Sequence, residues 1–176
     1  GSIGITQESK VSDFESAQRQ ISALLQHHQP PILCEEFKGG REISFCIIGS
    51  KMITHIEAME VRLKGEEGYF EESLFSMHDK RSEDRREKHH FVNVTDEMPA
   101  DLIERVRSTY LALGKVDYMR IDGKFTDEFW CLELSTDPSI STVSLFANSY
   151  YSIGKSYRDM ISDILSTRLS NDGGDI

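Results

Sequence analysis

The chain has 176 residues, enough for one domain or two small lobes with an apolar core and too few for a large multidomain assembly. Thirty acidic residues against twenty basic ones leave a net charge of -10, which argues against nucleic acid or an anionic membrane as partner. No stretch reaches the about 18 uninterrupted apolar residues of a membrane span, and the start lacks a basic-then-apolar leader, so a cytoplasmic protein is expected.

In chain order, Ser12 and Glu15 form a capping-box pattern ahead of Phe14, Ala17, Ile21, Leu24 and Leu25, which predicts an amphipathic helix over 12–28. Pro30 and Pro31 end it, and the apolar run over 32–37 is expected to be a short buried strand. After a Gly39–Gly40 turn, strands are expected over 42–49 and 51–63, making an antiparallel meander. Residues 65–90 are dominated by charge and predict a solvated loop, of the length that often serves as a lid. A second helix is expected over 99–113, started by Pro99, with Leu102, Ile103, Val106, Tyr110 and Leu113 on one face and Gly114 as its stop. Strands over 115–122 and 128–135, joined by a turn at Gly123, predict a second sheet. The tail over 143–169 has helical spacing, broken at Gly154. Helices alternating with groups of antiparallel strands make the fold class α+β.

Cys34, Cys46 and Cys131 are odd in number, far apart and set in apolar runs, so buried reduced thiols are expected rather than disulfides or a zinc site. The pairs His27–His28 and His89–His90 are expected at the surface.

Chemistry concentrates on the last two strands. Side chains alternate faces along a strand, so Arg120 and Asp122 share one face, as do Glu133 and Ser135 on the next strand. Met119, Ile121, Trp130, Leu132 and Leu134 are expected on the opposite, core-packed face. Two converging carboxylates suit Mg²⁺, which takes hard oxygens and completes its shell with phosphate and water. A plain cross-strand ion pair between Arg120 and Asp122 or Glu133 accounts for the same spacing.

The segments YMRID at 118–122, CLELSTDPSIS at 131–141 and VSLF at 143–146 resemble the carboxy-terminal half of a D-alanine–D-alanine ligase-like ATP-grasp enzyme. That family carries an aRvD strand, an EvN strand, a proline-containing loop and a Ser-Leu-Phe helix start in this order. Upstream, GSIGI at 1–5 resembles the glycine-serine loop that closes over ATP phosphates, and CEEFKGGREISF at 34–45 resembles the vEEfi-GrEi segment. Gly1 and Ser2 can also be read as the remnant of an expression tag. The resemblance implies an incomplete two-lobed ATP-grasp unit with antiparallel sheets and flanking helices. Residues 1–63 would be the end of the first lobe and the inter-lobe strands, 64–97 a charged mobile loop region, and 98–176 the carboxy-terminal lobe with the metal site.

The resemblance also implies roles. Ser2 and Gly4 would belong to the phosphate loop, Glu35 and Glu36 to the linker at the adenine, with Phe37 and Lys38 flanking the base, and Glu42 would accept the ribose hydroxyls. Lys80, in FSMHDKR at 75–81, would approach the terminal phosphate from the mobile loop. Asp122 and Glu133 would hold metal, and Arg120 would stabilise the acyl phosphate and the tetrahedral oxyanion. Ser144 would help hold the acceptor carboxylate. Two departures stand out: Ser135 replaces the family's metal-binding asparagine with a shorter, poorer ligand, and Ser139 replaces a glycine, which points to a different acceptor pocket.

The function so implied is an ATP- and Mg²⁺-dependent carboxylate–amine ligase acting on small amino-acid or peptide substrates through an acyl phosphate. The family's two phosphate-binding lysines and amino-terminal domain precede the glycine-serine loop, so the chain is expected to be a fragment of a longer ligase, inactive alone. The alternative is a noncatalytic nucleotide-binding or interaction module that kept the fold after its metal site decayed. Monomer and homodimer are both compatible with the sequence.

Overall fold

The computed structural model describes residues 5–74, 76, 79, 88–114 and 116–172. They divide into two compact units, residues 1–40 with 62–90 and residues 41–61 with 91–176.

In the first unit, helix α1 spans Phe14–Leu24. Its cap is Asp13, one residue beyond the expected Ser12: the Ser16 N–H donates to Asp13 Oδ1 at 2.7 Å and the Asp13 N–H donates to Ser16 Oγ at 3.3 Å. A carboxylate at this position also suits the positive end of the helix dipole. Lys10 ties the unit together, with Nζ 3.9 Å from the centroid of the Phe37 ring and donating at 2.6 Å to the carbonyl of Glu72, the last residue of the short helix α2 (Tyr69–Glu72). No strand forms over 32–37. Leu33 is 78% exposed and Cys34, Glu35 and Glu36 are exposed after it, so the middle of the run finds no partner edge.

The second unit is organised on most of a sheet with strand order β3-β2-β1-β4-β5, where β1 is Arg41–Gly49, β2 Ile53–Leu63, β3 His89–Asn93, β4 Tyr118–Phe125 and β5 Phe129–Ser135, residues 62–63 and 89–90 being counted with the first unit. The strands expected in two sheets thus lie in one, because β1 uses both its edges. Ile47 sits opposite Ile56 on β2 and Met119 on β4, and all three pairings that β1 and β4 make are antiparallel. The bonds Lys64 N–H to Lys88 O and Val94 N–H to Ala58 O run in opposite order at the β2–β3 edge, as in an antiparallel pair.

Period-two alternation separates the faces. Ile43, Phe45, Ile47, Met119 and Ile121 pack with Leu102, Val106 and Tyr110, the i, i+4, i+8 stripe of α3 (Ala100–Ala112). Phe129 closes this core edge-on to Phe45, with ring centroids 5.2 Å apart. One end of the opposite face is covered by α4 (Leu145–Ser152), followed by α5 (Tyr157–Asp172). Phe146 of α4 meets Tyr118 edge-on, and Tyr150 stacks on His55 at 4.2 Å.

Gly123, expected in a turn, lies inside β4; the reversal comes later, where the Thr126 N–H donates to Glu128 O. A Cβ at position 123 would fall 2.3 Å from the Trp130 carbonyl oxygen and 2.5 Å from the Phe129 ring, so only glycine lets β5 approach. The pairing shifts here by one residue. Asp122 faces Glu133 but Gly123 faces Cys131, which leaves Leu132 as the bulged residue. Beyond the bulge Trp130 pairs with Lys124, on the side of the sheet opposite the α3 core, contrary to the strict alternation expected. Only Cys46 is a buried thiol; Cys34 and Cys131 are exposed, the latter because β5 is an edge strand. His89 and His90 are half-buried in β3 rather than at the surface.

Candidate active site

The polar face is assembled in cross-strand rows. On β1 the residues interleaved with the core positions are Glu42, Ser44 and Cys46, and their partners on β4 are Lys124, Asp122 and Arg120. On β5 the same rows continue to Trp130, Glu133 and Ser135. Five residues singled out in the sequence, Glu42, Arg120, Asp122, Glu133 and Ser135, therefore share one face on three adjacent strands. Directly opposed positions such as Asp122 and Glu133 have Cβ atoms about 5 Å apart.

Asp122 is the centre of the row. Arg120 donates to it in fork geometry, Nε to Oδ1 at 2.6 Å and Nη2 to Oδ2 at 2.7 Å, and Ser44 Oγ donates to Oδ1 at 2.7 Å. Burial works against the Arg120 charge, but hydrogen bonding and attraction to Asp122 outweigh it and raise the guanidinium above its ordinary pKa. The ion pair is thus made along β4 itself, between alternate residues, rather than across to Glu133. One row away, Glu42 Oε2 lies 2.9 Å from Lys124 Nζ.

Two residues absent from the sequence-based site thus support two that were in it: Ser44 holds Asp122, and Lys124 holds Glu42. Both signals were present as alternation, Glu42-x-Ser44 in one strand and Arg120-x-Asp122-x-Lys124 in the other.

A model of the family described as "D-ala D-ala ligase C-terminus" matches residues 1–166. The chain belongs to this family. It is 25% identical over 167 residues to a D-alanine–D-alanine ligase of Bordetella petrii, covering 93% of the chain and 48% of that protein. It is also 25% identical over 173 residues to the enzyme of the same name from Mycobacterium ulcerans, covering 96% of the chain and 45% of that protein. A crystal structure of D-alanine–D-alanine ligase from Bacillus anthracis complexed with ATP superposes with a TM-score of 0.62 at 20% identity, covering 93% of the chain and 51% of that structure. A second crystal structure of a Bacillus anthracis D-alanine–D-alanine ligase gives 0.53 at 19% identity, covering 92% and 51%. The chain spans about half the length of the curated relatives it matches.

Against the D-alanine–D-alanine ligase pattern, the remaining residues fall in separate places. Ser144 caps α4, its oxygen accepting from the Ala147 N–H at 3.1 Å while its O–H stays available to donate. Ser139 is exposed, one residue past the buried Pro138 in the loop between β5 and α4. In the other compact unit, Glu35 and Glu36 are exposed, Phe37 carries Lys10 over its ring, and Lys38 lies 2.9 Å from Glu36. Ser2, Gly4 and Lys80 lie outside the described residues.

Among the described residues no three His, Cys, Asp or Glu side chains cluster as a self-sufficient metal cage. The donors present are two opposed carboxylates and the Ser135 hydroxyl. This set fits Mg²⁺, which uses one or two carboxylates and takes its other oxygens from phosphate and water. It fits poorly with cations that require a full set of protein ligands. No described helix is long and apolar enough to cross a membrane.

Proposed function

We propose that the chain is the nucleotide- and metal-handling carboxy-terminal part of an ATP-dependent carboxylate–amine ligase that joins amino acids or short peptides. The observation that carries this reading is the convergence of Glu42, Arg120, Asp122, Glu133 and Ser135 on one face of β1, β4 and β5. In the reaction, a donor carboxylate oxygen attacks the γ-phosphorus of ATP and ADP departs. An amine then attacks the acyl carbon, phosphate leaves, and the amine gives up a proton as the amide forms. No covalent link to the protein is needed.

Glu42 accepts the ribose and so fixes the nucleotide along the sheet. Glu35, Glu36, Phe37 and Lys38 supply the adenine side, and Ser2 and Gly4 the phosphate loop. Asp122, Glu133 and Ser135 would hold Mg²⁺. When bound, Mg²⁺ would supply Lewis-acid neutralisation of phosphate charge. Arg120 provides a fixed positive charge beside the acyl phosphate and the later oxyanion, worth most in a site from which water is excluded. Lys80 adds positive charge at the terminal phosphate. Ser144 donates its free hydroxyl hydrogen to the acceptor carboxylate, and Ser139 shapes the pocket that selects the acceptor. The setting is the cytoplasm.

The test is phosphate release by the intact protein with ATP, Mg²⁺ and a panel of amino acids and dipeptides. Turnover that needs both a donor and an amine, and falls about a hundredfold or more in Glu133→Gln, supports the ligase. ATP binding without turnover on any pair would move the assignment to a noncatalytic nucleotide-binding module.

A further inference from the structure

Beside the Arg120–Asp122 fork lies a second buried cation that the proposed chemistry does not use. Lys124 follows Arg120 and Asp122 in the alternation of β4 and so lies on the same face. Its side chain is 4% exposed and that of Glu42 17%, with 2.9 Å between Nζ and Oε2. The register fixes the contact from both sides, since Lys124 pairs with Glu42 on β1 and with Trp130 on β5. An ammonium withdrawn from water this far needs an anionic partner, and removing that partner is costly. Glu42 Oε2 is therefore committed to a fixed charge within the protein.

We infer that Lys124 is a positioning and specificity-determining residue for the nucleotide, holding one carboxylate oxygen of Glu42 so that the ribose is read through the other oxygen and by one hydroxyl only. This rests on the reading of Glu42 as the ribose acceptor. An unencumbered carboxylate offers two oxygens and about four lone-pair directions, enough to take both hydroxyls of a ribose diol as charge-assisted hydrogen bonds. With Oε2 turned to the ammonium and its charge locally neutralised, the second hydroxyl loses most of that advantage.

The experiment displaces a fluorescent ATP analogue from the intact protein with ATP, 2′-deoxy-ATP and 3′-deoxy-ATP. In the wild type, one deoxy nucleotide should bind within about twofold of ATP and the other about tenfold more weakly. In Lys124→Met both should fall about tenfold below ATP, because the released oxygen now reads the second hydroxyl, while Lys124→Arg should keep the wild-type pattern. A residue that merely supported the fold would weaken all three nucleotides by one common factor. Equal penalties for both deoxy nucleotides in the wild type overturn the inference, as does an unchanged pattern in Lys124→Met. The wild-type series decides the matter if circular dichroism shows Lys124→Met unfolded. Glu42→Gln separates the two levels: if it binds ATP and the two analogues in the wild-type pattern, the ribose role of Glu42 falls. A wild type that binds no ATP overturns the nucleotide reading itself, and this inference with it.

Discussion

On β1, Ile43, Phe45 and Ile47 are fully buried against the α3 side, while Glu42, Ser44 and Cys46, interleaved with them, turn toward Lys124, Asp122 and Arg120. One strand thus serves two tasks by parity. The core face is apolar and interdigitated, so its contribution is proportional to the area it removes from water. The polar face is held by directed contacts between charges, where a few tenths of an ångström matter more than area. Stability and chemistry can therefore be disturbed separately although they are one residue apart.

The largest expected effect is on the core side. Phe45→Ala removes a fully buried ring that meets Phe129 edge-on, and should cost about 3–5 kcal/mol of unfolding free energy in urea titrations. Nucleotide affinity of the fraction that remains folded should change little; a matching loss of affinity would mean that the faces are not separable.

His55 tests the place where the polar face is itself covered. Its Nε2 lies 2.9 Å from Ser149 Oγ, whose hydrogen goes to the Phe146 carbonyl, so neutral His55 is the donor. Burial, with the charge of Lys155 adding to it and Asp163 opposing, lowers its pKa from 6.5 to about 4. The unfolded chain then takes up this proton first as pH falls. The contribution is complete above the unfolded pKa and is lost between about pH 6.5 and 4, amounting to about 3 kcal/mol. Urea midpoints of the wild type and His55→Gln, followed over that range, should converge toward low pH. A constant gap between them would show that His55 is not held neutral.

The smallest effect concerns the site alone. Ser135→Asn lengthens the reach of a proposed ligand from the same strand position, and should leave Mg²⁺-dependent turnover unchanged or raise it up to about threefold. Unfolding free energy should stay within about 0.5 kcal/mol. A variant that loses turnover while keeping its stability would show that the position does not accept asparagine as a ligand.

Much of this arrangement is legible in the sequence wherever the signal is local. Helices α1 and α3 follow from capping and the i, i+4 apolar spacing, and β4 from the alternation of Met119 and Ile121 with Arg120 and Asp122. The pairing of β1 with β4 is not legible, because it joins segments about seventy residues apart and no periodicity encodes which edges meet. The run over 32–37 misleads for a related reason: apolar content marks a strand only where tertiary structure offers a partner, and Leu33 has none to bury it. Ser44 and Lys124 were readable in type and parity, but their roles depend on the rows that this pairing creates. Trp130 was placed on the wrong face because a bulge leaves no compositional trace beyond one glycine.

That bulge has a further consequence. Glu133 and Ser135 follow one alternation frame and Trp130 the other, and Leu132 is the inserted unit that shifts between them. The strand behaves like a message with a single frameshift: the proposed metal ligands are spelled in one frame and the wall beside Glu42 and Lys124 in the next. A protein that deleted Leu132 would lose the bulge yet keep Trp130, Glu133 and Ser135 on one face by plain alternation, whereas one that kept Leu132 in a regularly paired strand would turn one half of it inside out, so an alignment gap here signals a straightened strand rather than a change of face.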